Sequence, residues 1–344
     1  MATKGLVIAW MPVCQRCQTL ATELDFDLLL LGRRGFRRPL TAPLTYPRLF
    51  FATIRELARR RPPSVIVVAP PILTPLIVMM MGRLIGARVA IDGHSAAILD
   101  RRWRWSTPLL RLMVSRADAG LVTVNSLVPQ LGRHARHPIV LPDPLPDLLR
   151  NAEGGAVDRP QPISGPHPEP SRTPGPAVVV AASGWGSDEP LEELAVAAAD
   201  QPWRLMITGK PRRTLTLPPN AVVTGFLDGP SYVQALANAD VVVVLTTRDQ
   251  TLLSGAWEAV ALGKALGLSG TASLREAFGT AAVYVADDSE SIARGIQQAL
   301  SRREELESQV AILAVALRAQ SSARLLELAA AISRPAPRSD RKAP

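Results

Sequence analysis

Short, wholly apolar runs that stop abruptly at proline, glycine or charge, with helix-length stretches between them, constrain this chain more than any other feature. Val65–Ala69 is continuous and mostly β-branched, and it ends at Pro70-Pro71. Val241–Leu245 is four valines and a leucine behind Asp240. A run without polar alternation is what a strand buried on both faces requires. Between such runs the period changes. Phe50, Ile54 and Leu57 fall at i, i+4 and i+7, with Arg55 and Arg59 on the wet side, and Pro62-Pro63 stop the pattern. Ser106-Thr107-Pro108 reads as a helix start with proline in its first turn.

The same reading predicts strands at Leu6–Trp10, Asp27–Leu31, Arg88–Ile91, Leu121–Val124 and Ile139–Leu141 in the first half. In the second half it predicts Val178–Ala182, Leu205–Thr208, Val222–Thr224, Leu266–Ser269 and Val283–Val285. Helices are expected at 189–199, 232–239, 256–262 and 291–300. Strands that alternate with helices imply α/β domains, each a parallel sheet with helices on both faces. The 344 residues, 47% of them hydrophobic, suffice for two such cores. Residues 154–176 hold seven prolines and four glycines and read as a linker or insertion, not a core element. The expected organisation is therefore a domain over 1–143, a linker over 144–176, a domain over 177–301, C-terminal helices over 302–332 and a polar tail over 333–344.

Charge divides the chain at the same place. The net charge is +9, but residues 1–150 carry +12 and the rest carry −3. The basic half calls for an anionic partner, such as a phosphate-bearing lipid or a membrane surface. Arg101-Arg102-Trp103-Arg104-Trp105 interleaves indoles with guanidinium groups, as a lipid headgroup zone favours, and Arg33, Arg34, Arg37 and Arg38 add to it. Nucleic acid is not expected, because no aromatic-stacking or motif signal accompanies the charge. Gly5–Val13 lacks a small-residue cleavage site behind it and reads as a first strand. Val65–Gly82 reaches the length of a membrane span but is cut by Pro70, Pro71 and Pro75. The expected location is cytoplasmic, at the inner face of the cell membrane. Cys14 and Cys17 are the two cysteines; they are too few for a zinc site and read as structural thiols in a reducing compartment.

In open α/β sheets ligands bind beyond the carboxyl ends of the strands. Three places there carry chemistry. Asp92-Gly93-His94 follows a buried strand, and a histidine at that edge can donate to a sugar hydroxyl or act as a base. Leu253-Ser254-Gly255 opens a helix, so unpaired N–H groups and the positive helix end face outward, as a diphosphate requires. Glu258, one turn in, is surrounded by apolar neighbours and needs partners, which two vicinal ribose hydroxyls would supply. Glycine turns form the third group: Gly184, Gly209-Lys210 and Gly225-Phe226-Leu227. No dinucleotide fingerprint or phosphate-binding G-x-x-x-x-G-K is present, which argues against a simple NAD enzyme or ATPase. No metal constellation and no cofactor are expected, so Lys210, Arg212, Arg213 and Arg248 are the cations available to a diphosphate.

Gly225-Phe226-Leu227, Asn238-Ala239-Asp240 before a valine strand, and Glu258-Ala259 before Leu262-Gly263-Lys264 together resemble the donor domain of the GT-B glycosyltransferases, close to family 4. Asp92-x-His94 resembles the N-terminal domain of its bacterial polysaccharide type, and Leu141-Pro142-Asp143-Pro144 its exit toward the second domain. The resemblance implies two Rossmann-like domains with parallel sheets facing across a cleft. It implies a UDP- or GDP-linked sugar as co-substrate and a glycan or lipid-linked acceptor. Glu258 would hold the ribose, Phe226-Leu227 the base, and His94, with Asp92, the reacting groups. Gln250 stands where the family has the first of two paired glutamates, and Ser183–Ser187 where it has an Arg/Lys pair. These departures make a non-catalytic partner of another glycosyltransferase the alternative.

Overall fold

A computed structural model describes residues 4–32, 42–146, 148, 177–180 and 184–333. Arg33, Arg34, Arg37 and Arg38, most of the 144–176 linker, Ser183 and the tail beyond Ser333 lie outside them. The chain divides into two compact units, one of Met1–Pro144 with Ala319–Pro344, the other of Leu145–Arg318.

The first unit runs β1 (Leu6–Ala9), α1 (Gln15–Glu23), β2 (Asp27–Leu30), α2 (Ala42–Arg60), β3 (Ser64–Ala69), α3 (Leu73–Ile85), β4 (Arg88–Gly93), α4 (Ser95–Leu99), α5 (Thr107–Val114), β5 (Ala119–Val122) and β6 (Pro138–Val140). Its sheet is six-stranded, in the order β2-β1-β3-β4-β5-β6, and the pairs are parallel. β3 is buried along its whole length, as its unbroken apolar run requires. α2 turns Leu49, Thr53 and Leu57 inward and leaves Arg55 and Arg59 exposed. Gly93 ends β4 where Leu131 packs so closely that a Cβ would collide with it.

The second unit runs β7 (Ala177–Val180), α6 (Leu191–Ala198), β8 (Arg204–Thr208), β9 (Ala221–Gly225), α7 (Gly229–Ala237), β10 (Val241–Val244), α8 (Ser254–Ala261), β11 (Ala265–Ser269), α9 (Ala272–Phe278), β12 (Ala282–Val285) and α10 (Ser289–Ser301). Its six-stranded parallel sheet has the order β12-β11-β10-β7-β8-β9. One core lies under α6 and α10, with Trp203, Leu205, Val243 and Ile296. The other lies under α8 and α9, where the Trp257 and Phe278 rings pack 5.1 Å apart. Gly225 takes φ +73°, a conformation glycine reaches without strain.

Two sequence expectations change. Residues 302–332, expected as C-terminal helices, are helical and form a single helix, α11 (Arg303–Ile332). Its first half adds Val310 and Ala314 to a core of the second unit, and its second half adds Leu325, Leu328 and Ile332 to the core of the first. Its apolar positions serve two cores, so they do not form one stripe. The cysteines, read as free thiols, are joined as a disulfide. The C-x-x-C spacing straddles the first turn of α1 and leaves the Cα atoms 5.2 Å apart, within bridging range. Cys14 also caps that helix, its sulfur accepting the Cys17 N–H at 3.1 Å.

Candidate functional site

In the second unit the chain leaves β7 for β8 and β9 on one side, then returns to β10 and β11 on the other. The β7/β10 boundary is therefore the topological switch point, where connections diverge and leave a crevice beyond the carboxyl ends. The loops after β7 and β10 meet there. Asp188 accepts from the Thr246 hydroxyl at 3.0 Å, its own carbonyl accepts the Thr247 N–H at 2.7 Å, and its carboxylate lies 3.4 Å from the Arg248 guanidinium. Neither Asp188 nor Thr246 was picked from sequence; only the adjacency of β7 and β10 relates them.

α8 starts just beyond this point. Its N-cap, Leu253, offers no side-chain acceptor, so the first-turn N–H groups at Ser254 and Gly255 lack a cap. Ser254 is exposed and Gly255 is buried, so the helix opens outward at its first residue. Glu258 follows one turn later. Its Oε2 accepts the Tyr232 hydroxyl from α7 at 2.6 Å. The sequence reading left this carboxylate without a protein partner; the structure supplies one, and Oε1 keeps none among the described residues. Burial pushes the Glu258 carboxyl above its ordinary range, and the Tyr232 bond only partly offsets this. Burial, with the facing carboxylate, pushes the Tyr232 hydroxyl well up, so it stays a donor.

The loop before α8 is held from below. Asp249 accepts the N–H groups of Gln250 at 2.8 Å and Ser273 at 3.0 Å. Burial would raise its carboxyl, but these bonds hold it below its ordinary value. Gln250 takes φ +60°, and its N–H also reaches the Ser273 hydroxyl at 3.2 Å. Asp249 thus clamps the loop to the start of α9, and Gln250 follows it in a fixed left-handed turn.

The glycine turns fall along the same edge. Gly184 follows β7, Gly209 and Lys210 follow β8, and the Gly209 N–H donates to the Gly225 carbonyl at 3.0 Å, joining the ends of β8 and β9. Lys210 is exposed. Phe226, 72% exposed, and half-buried Leu227 come next. Arg213, expected to face a donor diphosphate, is tied elsewhere. Its two terminal nitrogens donate to the carbonyls of Gly186 at 2.9 Å and Glu189 at 2.7 Å, and one also meets Glu192. It braces the loop after β7, whose Trp185 indole is anchored on the Thr208 carbonyl.

In the first unit the carboxyl edge is built differently. Asp92 is 0% exposed and bound twice by Arg16, with Nε donating at 2.7 Å and Nη2 at 3.2 Å. Arg16 Nη1 also donates to Asp143 at 3.0 Å. Burial opposes the charge on Arg16, but the two carboxylates overcome it and raise its pKa. Asp92, expected among the reacting groups, is thus a buried partner of Arg16 that ties together the ends of β4 and β6 and the start of α1. Arg16 was missed; its signal was an arginine among apolar positions on the inner face of α1. His94 is half-buried and caps α4. Its Nδ1 accepts the Ala96 N–H at 3.5 Å, with the Ser95 hydroxyl at 3.4 Å. With Nδ1 accepting, the neutral ring carries its proton on Nε2, and that nitrogen presents a donor.

A cavity of about 490 Å³ lies at the opposite edge of the first unit, lined by Arg88, Asp118, His137 and the end of α11. It sits at the amino ends of β4, β5 and β6, away from the ligand-binding edge of such sheets. Among the described residues no group of three His, Cys, Asp or Glu side chains could hold a metal ion.

No family model and no curated protein matches the sequence. Solved structures do match in fold. A glycosyltransferase from Rickettsia africae superposes with a TM-score of 0.64 at 8% identity, over 97% of this chain and 100% of that one. HepE of Anabaena in complex with UDP gives 0.61 at 12% identity, over 95% and 98%. A UDP-N-acetylglucosamine 2-epimerase from Listeria monocytogenes, described as putative, gives 0.64 at 12% identity, over 96% of each chain. At such identities the likeness speaks for architecture, and one architecture hosts many reactions. With its paired six-stranded parallel sheets, one in each Rossmann-like unit, this chain has the GT-B fold.

Proposed function

We propose that this chain is a glycosyltransferase that moves a sugar from a UDP- or GDP-linked donor to a lipid-linked or polysaccharide acceptor. The observation that carries the reading is the start of α8. An uncapped helix N-terminus opens at the switch point, and a carboxylate with one unpaired oxygen stands one turn inside it. The first suits a diphosphate and the second a ribose hydroxyl. Exposed Phe226 would cover the base, and Lys210 with Arg248 would add positive charge. Preorganised N–H groups facing a departing diphosphate stabilise charge as it develops, without reorganisation at the moment of reaction. The fold neighbour solved with UDP supports a uridine nucleotide in this role. The first unit would bind the acceptor, with His94 Nε2 donating to it or to the sugar. No metal is needed for this assignment, since helix end and cations supply the positive field.

A non-catalytic partner subunit is the second reading. It is favoured by Arg213, whose terminal nitrogens are engaged by the protein itself, and by Gln250 in the place of a glutamate. Thermal unfolding with UDP, GDP and the matching monophosphates separates the two. A ligand that binds only the folded state raises the midpoint with its concentration. We expect a rise with one diphosphate, smaller with its monophosphate and lost in Glu258→Gln. No rise with any nucleotide would leave the partner reading standing.

A further inference from the structure

The outer helical layer of the first unit exposes apolar side chains that its own core does not use. α3 packs between α2 and α5, so the three form one layer over the sheet. The inward face of α2 and α3 carries Leu49, Phe50, Ile54 and Ile77 around Trp10. The outward stripe of α2 reads Leu44, Arg48, Phe51 and Arg55, at helical spacing, and all four are exposed. α3 adds Met80, Arg83 and Leu84 at its exposed end, and α5 adds Leu112. Trp105, in the 3₁₀ turn that leads into α5, is 71% exposed; Phe51 is 67% and Leu84 79% exposed. A monomer rarely displays so many large apolar groups on one layer unless something covers them.

Charge identifies what covers them. Residues 42–116 contain twelve arginines, no lysine and three acids, Glu56, Asp92 and Asp100. Asp92 is buried on Arg16, Glu56 is held by Arg59 and Arg60, and Asp100 accepts the Arg102 N–H. Outside the buried Asp92, therefore, two acids, Glu56 and Asp100, stand against twelve arginines, and Glu56 also meets Arg55 at 4.0 Å. Arg48, Arg83, Arg101 and Arg104 are exposed and make no ion pair among the described residues. Apolar side chains interleaved with arginine, and a tryptophan beside them, match a lipid monolayer with anionic headgroups: the apolar groups enter the acyl boundary and the guanidinium groups stay at the phosphates. A second copy of this chain would bring arginine against arginine. Among the described residues no helix is long and apolar enough to cross a membrane.

We propose that the α2–α3–α5 layer docks on an anionic lipid surface, with Phe51, Leu84 and Trp105 entering it. This surface is independent of the nucleotide reading, and its test uses no nucleotide. The full chain is sedimented with vesicles of phosphatidylcholine alone or with phosphatidylglycerol, at low and high salt. We expect binding to the anionic vesicles at least tenfold above the neutral ones, falling with salt. R48Q/R101Q/R104Q should abolish the preference for anionic lipid. F51S/L84S/W105S should weaken binding to both, with unchanged thermal unfolding, because these side chains are exposed. On the unaltered chain, brominated lipid should quench tryptophan emission, and W105F should remove that quenching. Absent binding to anionic vesicles, or binding that neither variant alters, overturns the proposal. So does a dimer in solution that F51S/L84S/W105S dissociates, which would make a second copy the occupant.

Discussion

The two units carry the same kind of sheet, yet their carboxyl edges are organised by opposite means. In the first, the conspicuous acid is buried and neutralised: Asp92 and Asp143 hold Arg16, and the strand ends are tied by charge. In the second, the conspicuous acid, Glu258, has a neutral donor, Tyr232, on one oxygen and none on the other. Among the described residues no cation faces it, and its carboxyl is raised by burial. A buried carboxylate matched by an arginine stabilises geometry and has nothing left to offer a ligand. One held by a single hydroxyl is incompletely satisfied, and a ligand can complete it. Two acids at the carboxyl edges, Asp92 in strand β4 and Glu258 in helix α8, therefore differ because of what faces them.

The largest effect should come from breaking the charge cluster. Arg16→Ala leaves two carboxylates without their cation, one fully buried, and should cost about 3–5 kcal/mol in urea unfolding. Arg16→Leu with Asp92→Leu should recover much of that loss, since an apolar pair carries no desolvation penalty. A double variant that loses the sum of the two single losses would mean that the pair does not couple.

His94→Ala tests the same edge without touching the cluster. Turnover should fall by roughly a hundredfold or more, the scale for a positioned proton donor or acceptor. Calorimetric nucleotide affinity should stay unchanged, since the nucleotide is assigned to the other unit. Unchanged turnover would reduce His94 to the cap of α4.

Glu258→Gln should cost roughly 1.5–3 kcal/mol of nucleotide binding, the range for bonds to a charged acceptor, while the fold persists. Acidity sharpens the point. The folded pKa of Glu258 lies above its ordinary value of 4.5. Its protonated form therefore stabilises the fold, fully below that value and decreasingly as pH rises through the raised one. Ligand binding runs the other way, because the ionised oxygen is the better acceptor. Nucleotide affinity should thus weaken as pH falls through the raised value, and the Gln variant should lack this dependence. A parallel decline in both proteins would assign it to another group.

The smallest effect is expected between the units. Shortening the 154–176 segment should change stability by less than about 1 kcal/mol, because closure entropy varies slowly with length. Limited proteolysis should cut there first. First cleavage within either sheet would contradict the independence of the two folds.

Much of the fold was legible because its signals are local. β3 and β10 announce themselves by unbroken apolar runs, and α2 by its i, i+4, i+7 spacing, so the strand ends, and with them the edge where such sheets take ligands, followed from order alone. The start of α8 was legible at Ser254-Gly255, whereas its N-cap, Leu253, and the lack of a side-chain cap there came from the structure. Partners were not. Tyr232 and Glu258 are 26 residues apart, and Arg16 and Asp143 are 127 apart. No spacing rule relates such pairs.

The sequence by itself determined which segments are strands, where a helix begins beyond β10, and which half is basic, since each depends on neighbours within a turn or two. The tertiary structure alone decided that Asp92 is bound by Arg16 while Glu258 keeps one oxygen unpaired. It alone decided that Cys14 and Cys17 are joined, that α11 serves both cores, and that Leu44, Phe51, Leu84 and Trp105 face outward on one layer. The physical reason is that the charge state and exposure of a side chain are set by what packs against it, and crossover connections bring those groups from distant parts of the chain.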